Sequence, residues 1–282
     1  YFIFFVSNHS LNKLFYVQNN IPFFREFVSE NYFFEIHPTY FSSFLLISFT
    51  VSLLTKKKLT SIFHWLNLVL TVFFIFMFSS RMIFIILFLT IISYLIYITF
   101  RKGVKHVVLV LSVFVVVLVA LIYPAKKVIG QRFNEIKTEL NKPIVGDYYN
   151  STNTRIAILK CSMILLKEVP FFGYGDALQS QLNECYKNTN DSDFYLKQTF
   201  NTHNYYFNLI LYGGCLFLII FLFYLYTVYK ELNSSLLILV IFFQLLLINI
   251  TENYFSRHYG IVLFTYFTSM FIFLKEKQVN VN

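Results

Sequence analysis

The chain has 282 residues, of which 57% are hydrophobic, 21% aromatic and only 13% charged, with a mean hydropathy of +0.62. That balance excludes an ordinary soluble domain and predicts an all-α polytopic membrane protein. The net charge of +9 does not point to nucleic acid, because most of the excess lysine and arginine falls in short loops between apolar runs, where membrane topology accounts for it.

Tyr1 to Val6 reads as the tail of a span whose beginning lies upstream and is too short for a signal peptide, so further spans are expected before Tyr1. Runs able to cross about 30 Å of hydrocarbon follow near 38–55, 61–78, 82–100 and 105–123, and again near 205–228, 235–251 and 258–274. These seven spans divide the chain into an N-terminal part of the bundle at 1–123, a large outer loop with surface helices at 124–204, and C-terminal transmembrane helices at 205–282. Lys56, Lys57, Lys58, Arg101, Lys102, Lys105, Lys230, Lys275 and Lys277 all fall on one side, which the positive-inside rule makes cytoplasmic. The other side then carries residues 7–37, the turn at Ser79 to Arg81, the segment 124–204 and the turn from Glu252 to His258.

A connection as long as 124–204 between packed elements is usually functional. Lys126 to Leu140 mixes charges with Val128, Ile129, Phe133 and Ile136, the pattern of a short surface helix. A clearer helix follows the capping residues Ser151, Thr152 and Asn153, runs through Lys167 and stops before Pro170. On its wheel Arg155 aligns with Leu159, Ser162 and Leu166, away from Lys160 and Lys167, so Arg155 is expected on the packed side. An inward arginine needs a partner, either an outer carboxylate such as Glu252 or an oxyanion of a bound substrate. Cys161 and Cys185 both lie in this segment, where an oxidising compartment would permit a disulfide, whereas Cys215 reads as packing within the fifth span.

Four pairs share one pattern: Ser80-Arg81, Thr154-Arg155, Thr202-His203 and Ser256-Arg257 each open a helical stretch on the outer side. A helix start already carries partial positive charge, so a cation added there calls for an anion opposite, and four such sites suggest a receptor for phosphate or pyrophosphate. For Arg81 alone the simpler reading is an anchor to lipid phosphates. His203, immediately before the fifth span, carries the side chain best suited to exchange a proton near neutral pH. His37, Tyr174, Asn204 and Arg257 are candidates to line the same cavity. No Cys/His or carboxylate cluster has the spacing of a metal site, and Gly173-Tyr174-Gly175 lacks the Lys-Ser/Thr of a phosphate-binding loop, so neither metal nor nucleotide cofactor is expected.

Ser80-Arg81 opening a span, Thr154-Arg155 opening an outer helix, Pro170-Phe-Phe-Gly-Tyr-Gly175 after it, and His203-Asn204 leading into a span with Gly213-Gly214 together resemble the O-antigen ligase and O-antigen polymerase superfamily. The resemblance runs from about His37 to the seventh span. Along the fifth span the family often has an acidic residue and a second glycine, where this chain has Tyr212 and Phe217.

The resemblance implies an integral membrane glycosyltransferase of the bacterial inner membrane, its active site facing the periplasm. Its donor would be glycan on undecaprenyl diphosphate and its acceptor another glycan or lipid A core. Arg81 and Arg155 would hold the diphosphate, and His203 would be the catalytic residue near the acceptor. A transporter or flippase of lipid-linked glycan is the competing reading. Transporters concentrate polar groups near the bilayer midplane, whereas these span interiors hold few beyond Asn67, Gln244 and Asn249. A non-catalytic scaffold, its arginines anchoring lipid headgroups, is a third.

Overall fold

Long apolar runs without internal proline satisfy their backbone groups locally only as helices, and the chain does so. The computed structural model describes residues 36–55, 62–78, 80–102, 151–190, 199–232 and 235–281, with isolated positions among 17–28 and 112–141. Among them are eight α-helices: α1 (Pro38–Leu54), α2 (Ile62–Phe78), α3 (Arg81–Lys102), α4 (Ser151–Lys167), α5 (Leu178–Thr189), α6 (Tyr205–Leu232), α7 (Leu236–Ile248) and α8 (His258–Val281). A minimal antiparallel ladder pairs β1 (Val17–Gln18) with β2 (Ile21–Pro22). The tail at 1–6 and most of the span expected at 105–123 lie outside the described residues, and the surface helix expected over 126–140 is described only at isolated positions.

Six of the seven expected spans coincide with helices, and by length and composition two of these could cross a membrane, Arg81–Phe100 and Tyr205–Leu232, the second interrupted at Gly214. The apolar stretches of the others are shorter: α7 stops at Ile248, where the buried Asn249 closes the helix by donating from Nδ2 to the Leu245 carbonyl at 2.7 Å.

The chain forms two compact units, Tyr1–Glu135 and Ile136–Asn282. In the first, α1 and α2 pack as a pair, and Asn67 of α2 donates from Nδ2 to Ser52 Oγ of α1 at 2.5 Å. The hydroxyls of Ser42, Thr50 and Thr90 fold back onto carbonyls one turn earlier, which hides them from an apolar surrounding. Phe24 and Val28 close against Met77 and Phe78 at the end of α2.

In the second unit, α4 buries Ala157, Ile158, Cys161 and Leu165 against Leu178, Leu182, Cys185 and Tyr186 of α5 and Leu211 of α6. A disulfide joins Cys161 to Cys185, with Cα atoms 5.7 Å apart. This packing corrects the expected orientation of Arg155. The buried stripe of α4 is centred on the disulfide, so Arg155 falls at its edge beside the exposed Leu159 rather than within it.

The helix α6 is broken. Gly214 has φ 69° and ψ −172°, and the loop 170–175 docks against the break. The Tyr174 N–H donates to the Leu211 carbonyl at 2.7 Å, an acceptor the break takes out of the helical ladder. Backbone meets backbone here: a Cβ on Gly214 would fall 1.9 Å from the Phe171 carbonyl oxygen, and one on Gly173, at φ +74°, 2.4 Å from that of Tyr212. Close packing therefore survives with Tyr212 and Phe217 in place of the residues the family often shows.

Beyond the break the chain reverses. The Tyr205 and Phe221 rings lie 5.4 Å apart, although their positions would stand about 24 Å apart on an unbroken helix. The stretch 215–232 still rises about 27 Å by itself, close to the roughly 30 Å hydrocarbon thickness. Cys215, expected as core packing, lies just past the break and is exposed.

Candidate active site

The start of α6 fixes His203. Asn204 caps the helix, its Oδ1 accepting the Phe207 N–H at 3.0 Å, and the Tyr205 N–H donates to the Asn249 carbonyl at 3.0 Å. Tyr206 adds a bond from its hydroxyl to the Leu246 carbonyl at 2.9 Å. The entrance of α6 is thereby tied to the exit of α7. His203 itself has φ 45°, the one positive φ at a non-glycine among the described residues. Such a conformation persists only when neighbours hold it. They do: Asn201 Oδ1 accepts the His203 N–H at 3.0 Å, and Thr202 Oγ1 lies 2.9 Å from the Asn204 carbonyl and 3.2 Å from Asn253 Oδ1.

Asn249 also shapes the turn that follows α7, because its Oδ1 accepts the Phe255 N–H at 3.0 Å. Phe255 packs beneath the turn against Tyr205 and Phe264, with ring centroids 5.6 and 4.8 Å away. That turn carries Glu252, whose side chain is 12% exposed and meets two cations from distant parts of the sequence. Oε1 receives a hydrogen bond from Arg155 Nη2 at 3.1 Å, and Oε2 lies 3.3 Å from His203 Nδ1. One carboxylate thus gathers a histidine at the threshold of α6 and an arginine from the second turn of α4, which starts at Ser151, so Arg155 does not open the helix as expected. With Nδ1 toward the glutamate, Nε2 is the nitrogen available for proton exchange.

Tyr174 and Arg257 also belong to the second unit. Tyr174 donates its hydroxyl to the Leu165 carbonyl at 3.2 Å, serving the junction of α4 with the docked loop. Burial, reinforced by the nearby Glu168 carboxylate, pushes its phenol above the ordinary value. Arg257 is exposed at the end of the short helix Tyr254–Ser256, and its carbonyl accepts from Gly260 and Ile261 as α8 begins. In the first unit, Arg81 opens α3 behind Ser80, whose carbonyl takes the Phe84 N–H at 3.1 Å. His37 caps α1, with Nδ1 3.4 Å from the Thr39 N–H.

Glu252 entered the sequence reading only as a partner for an arginine; its role as the hub of the site was not visible there. The available signal was Thr251-Glu-Asn253, an acidic residue directly after an apolar run and close to Arg257 in sequence. What joins it to Arg155 and His203 is tertiary.

The family model described as O-antigen ligase matches residues 66–222, more than half of the chain, and includes Arg81, Arg155, His203 and the Gly213-Gly214 break. The chain belongs to this family. It is accordingly an integral membrane protein and a glycosyltransferase-type enzyme of the lipopolysaccharide and polysaccharide biosynthetic class. No curated protein and no solved structure matches it.

Proposed function

We propose that the protein transfers glycan from an undecaprenyl diphosphate carrier to an acceptor hydroxyl at the outer face of the bacterial inner membrane, as an O-antigen polymerase or O-antigen ligase. The observation that carries this reading is the meeting of Arg155 and His203 at Glu252, at 3.1 and 3.3 Å, within a chain of the O-antigen ligase family. An anion ligand and a proton acceptor in one cluster are what transfer from a diphosphate leaving group requires. Seven spans within these residues, with 124–204 outside, complete the proposed topology. The Cys161–Cys185 disulfide supports that side, since such bonds persist in oxidising compartments.

In the proposed step the acceptor oxygen forms a bond to the sugar C1 as the bond from C1 to the diphosphate oxygen breaks. The bonding pair leaves on the diphosphate, where Arg155, joined by Arg81 on the strength of the family resemblance, stabilises the added charge. The hydroxyl proton passes to Nε2 of His203. Displacement in one step inverts the configuration at C1.

Full-length protein in membranes, given lipid-linked glycan and acceptor, tests the assignment. Arg155→Ala and His203→Ala are each expected to lower the transfer rate by roughly a hundredfold or more, the range typical of lost charge stabilisation or acid–base catalysis, with protein level unchanged. Near-normal transfer by both would refute it.

A further inference from the structure

We propose that Glu252 is the site's resident anion: it occupies Arg155 before the donor arrives, cedes that arginine to the diphosphate, and stays on His203 as its positioning residue. The inference rests on the function proposed above and adds to it a residue and an order of events. The two cations use different carboxylate oxygens, Oε1 for Arg155 and Oε2 for His203, so one contact can open while the other remains.

The two ends of the Arg155 contact differ in freedom. The arginine side chain is 43% exposed and the glutamate 12%. A diphosphate can therefore reach the guanidinium from the open side, while the carboxylate is too enclosed to follow it outward. Only Nη2 is engaged by Glu252, and a guanidinium offers five N–H donors. A phosphate group with two or more oxygens can bind it bidentately, an arrangement stronger than a single contact to a carboxylate.

Glu252 cannot drift after Arg155, because its backbone is pinned. Its N–H donates to the Ile248 carbonyl at 3.2 Å, and its neighbour Asn253 reaches Thr202, next to His203. The carboxylate remains at Nδ1, where it fixes the tautomer with Nε2 facing the acceptor and stabilises the imidazolium that forms on proton uptake. Arrival of the donor also removes a competing cation from the carboxylate, so more of the negative charge of Glu252 then supports His203. Donor binding thus readies the base.

Glu252→Gln separates this role from a purely structural ion pair. Glutamine fills the same volume but no longer competes for Arg155 as an anion and no longer stabilises a charged His203. Steady-state transfer with lipid-linked glycan should show donor KM lowered by about threefold or more while kcat falls at least tenfold. A merely structural role does not produce that split. Unchanged kcat, or a raised donor KM, overturns the proposal.

If the glutamine variant does not accumulate, Glu252→Asp carries the test, since the shorter carboxylate loosens its hold on both cations. A lowered KM with a lowered kcat is again expected, and any other pattern overturns the proposal. Should Arg155→Ala and His203→Ala lose transfer while Glu252→Gln keeps wild-type constants, only the role of Glu252 fails. If those two alanine variants keep transfer, the functional reading itself fails.

Discussion

The two units use their polar residues differently. Among the described residues of the first, hydroxyls bond within a turn of their own position, as Ser42 does to Pro38, Thr50 to Leu46 and Thr90 to Ile86, and the Asn67 amide reaches between adjacent helices to Ser48 and Ser52. In the second, Arg155 and Glu252 are separated by 97 residues, Thr202 and Asn253 by 51, His203 and Glu252 by 49, and Tyr206 and Leu246 by 40. Local bonding hides polarity in an apolar surrounding and requires nothing of the rest of the fold. Long-range bonding requires the fold to deliver each group to its partner, and it is repaid only where those groups act together. The second unit therefore holds the long-range polar cluster on which the proposed chemistry is placed, and Arg81 of the first unit joins that proposal through the family resemblance alone.

Breaking the scaffold that delivers these groups should have the largest effect. Gly214→Ala places a Cβ against the Phe171 carbonyl at a backbone conformation that only glycine adopts readily. A cost of about 3 kcal/mol or more is expected from this strain and clash together. Thermal unfolding in detergent should register it, together with loss of transfer, because the loop 170–175 would lift from α6 and take α4 and Arg155 with it. A variant as stable and active as the parent would mean that the break does not position the site.

Removing the disulfide probes the same scaffold less severely. Its cysteines are separated by 24 residues, and closing a loop of that size stabilises by about 3.5 kcal/mol in the chain-entropy view, with engineered cases often lower. Cys161→Ser with Cys185→Ser should lower the unfolding midpoint while transfer persists at temperatures where the fold holds. On the parent protein, thiol labelling without reductant should modify Cys215 alone. Labelling of all three cysteines would remove the disulfide from the account.

How much of this was legible beforehand follows the same division. Helices of the first unit could be read directly, because apolar runs bounded by Pro38, by the Ser79-Ser80 turn and by clustered lysines specify both element and limits. Arg155 and His203 were also legible as candidates, from the residue type preceding each and from the family pattern. Glu252 was legible as a partner for Arg155, a pairing the structure contains, but not as a partner of His203, since nothing local distinguishes a glutamate that bridges two cations from one that meets a single cation. The inward orientation expected of Arg155 is not found for a related reason: α5 packs on α4, and its disulfide turns the buried stripe toward Cys161. The Gly213-Gly214 pair was legible as part of the family pattern, but the reversal of α6 depends on where the loop 170–175 docks.

The smallest expected effect lies in the first unit and sharpens the contrast from the other side. Asn67→Ala removes the bond from Nδ2 to Ser52 Oγ, the main side-chain polar tie between α1 and α2 among the described residues. Polar contacts of this kind between membrane helices contribute about 0.6 kcal/mol on average, because an alternative partner is usually found when the helices separate. Ser48 and Ser52 have such alternatives, since serine hydroxyls can turn back onto a carbonyl one turn earlier as Ser42 and Thr50 already do. The variant should therefore unfold within a few degrees of the parent and transfer glycan at an unchanged rate. A loss of activity comparable to that of His203→Ala would show that the polar tie between α1 and α2 serves the reaction as directly as the groups around Glu252, and the contrast between local and long-range bonding would fall.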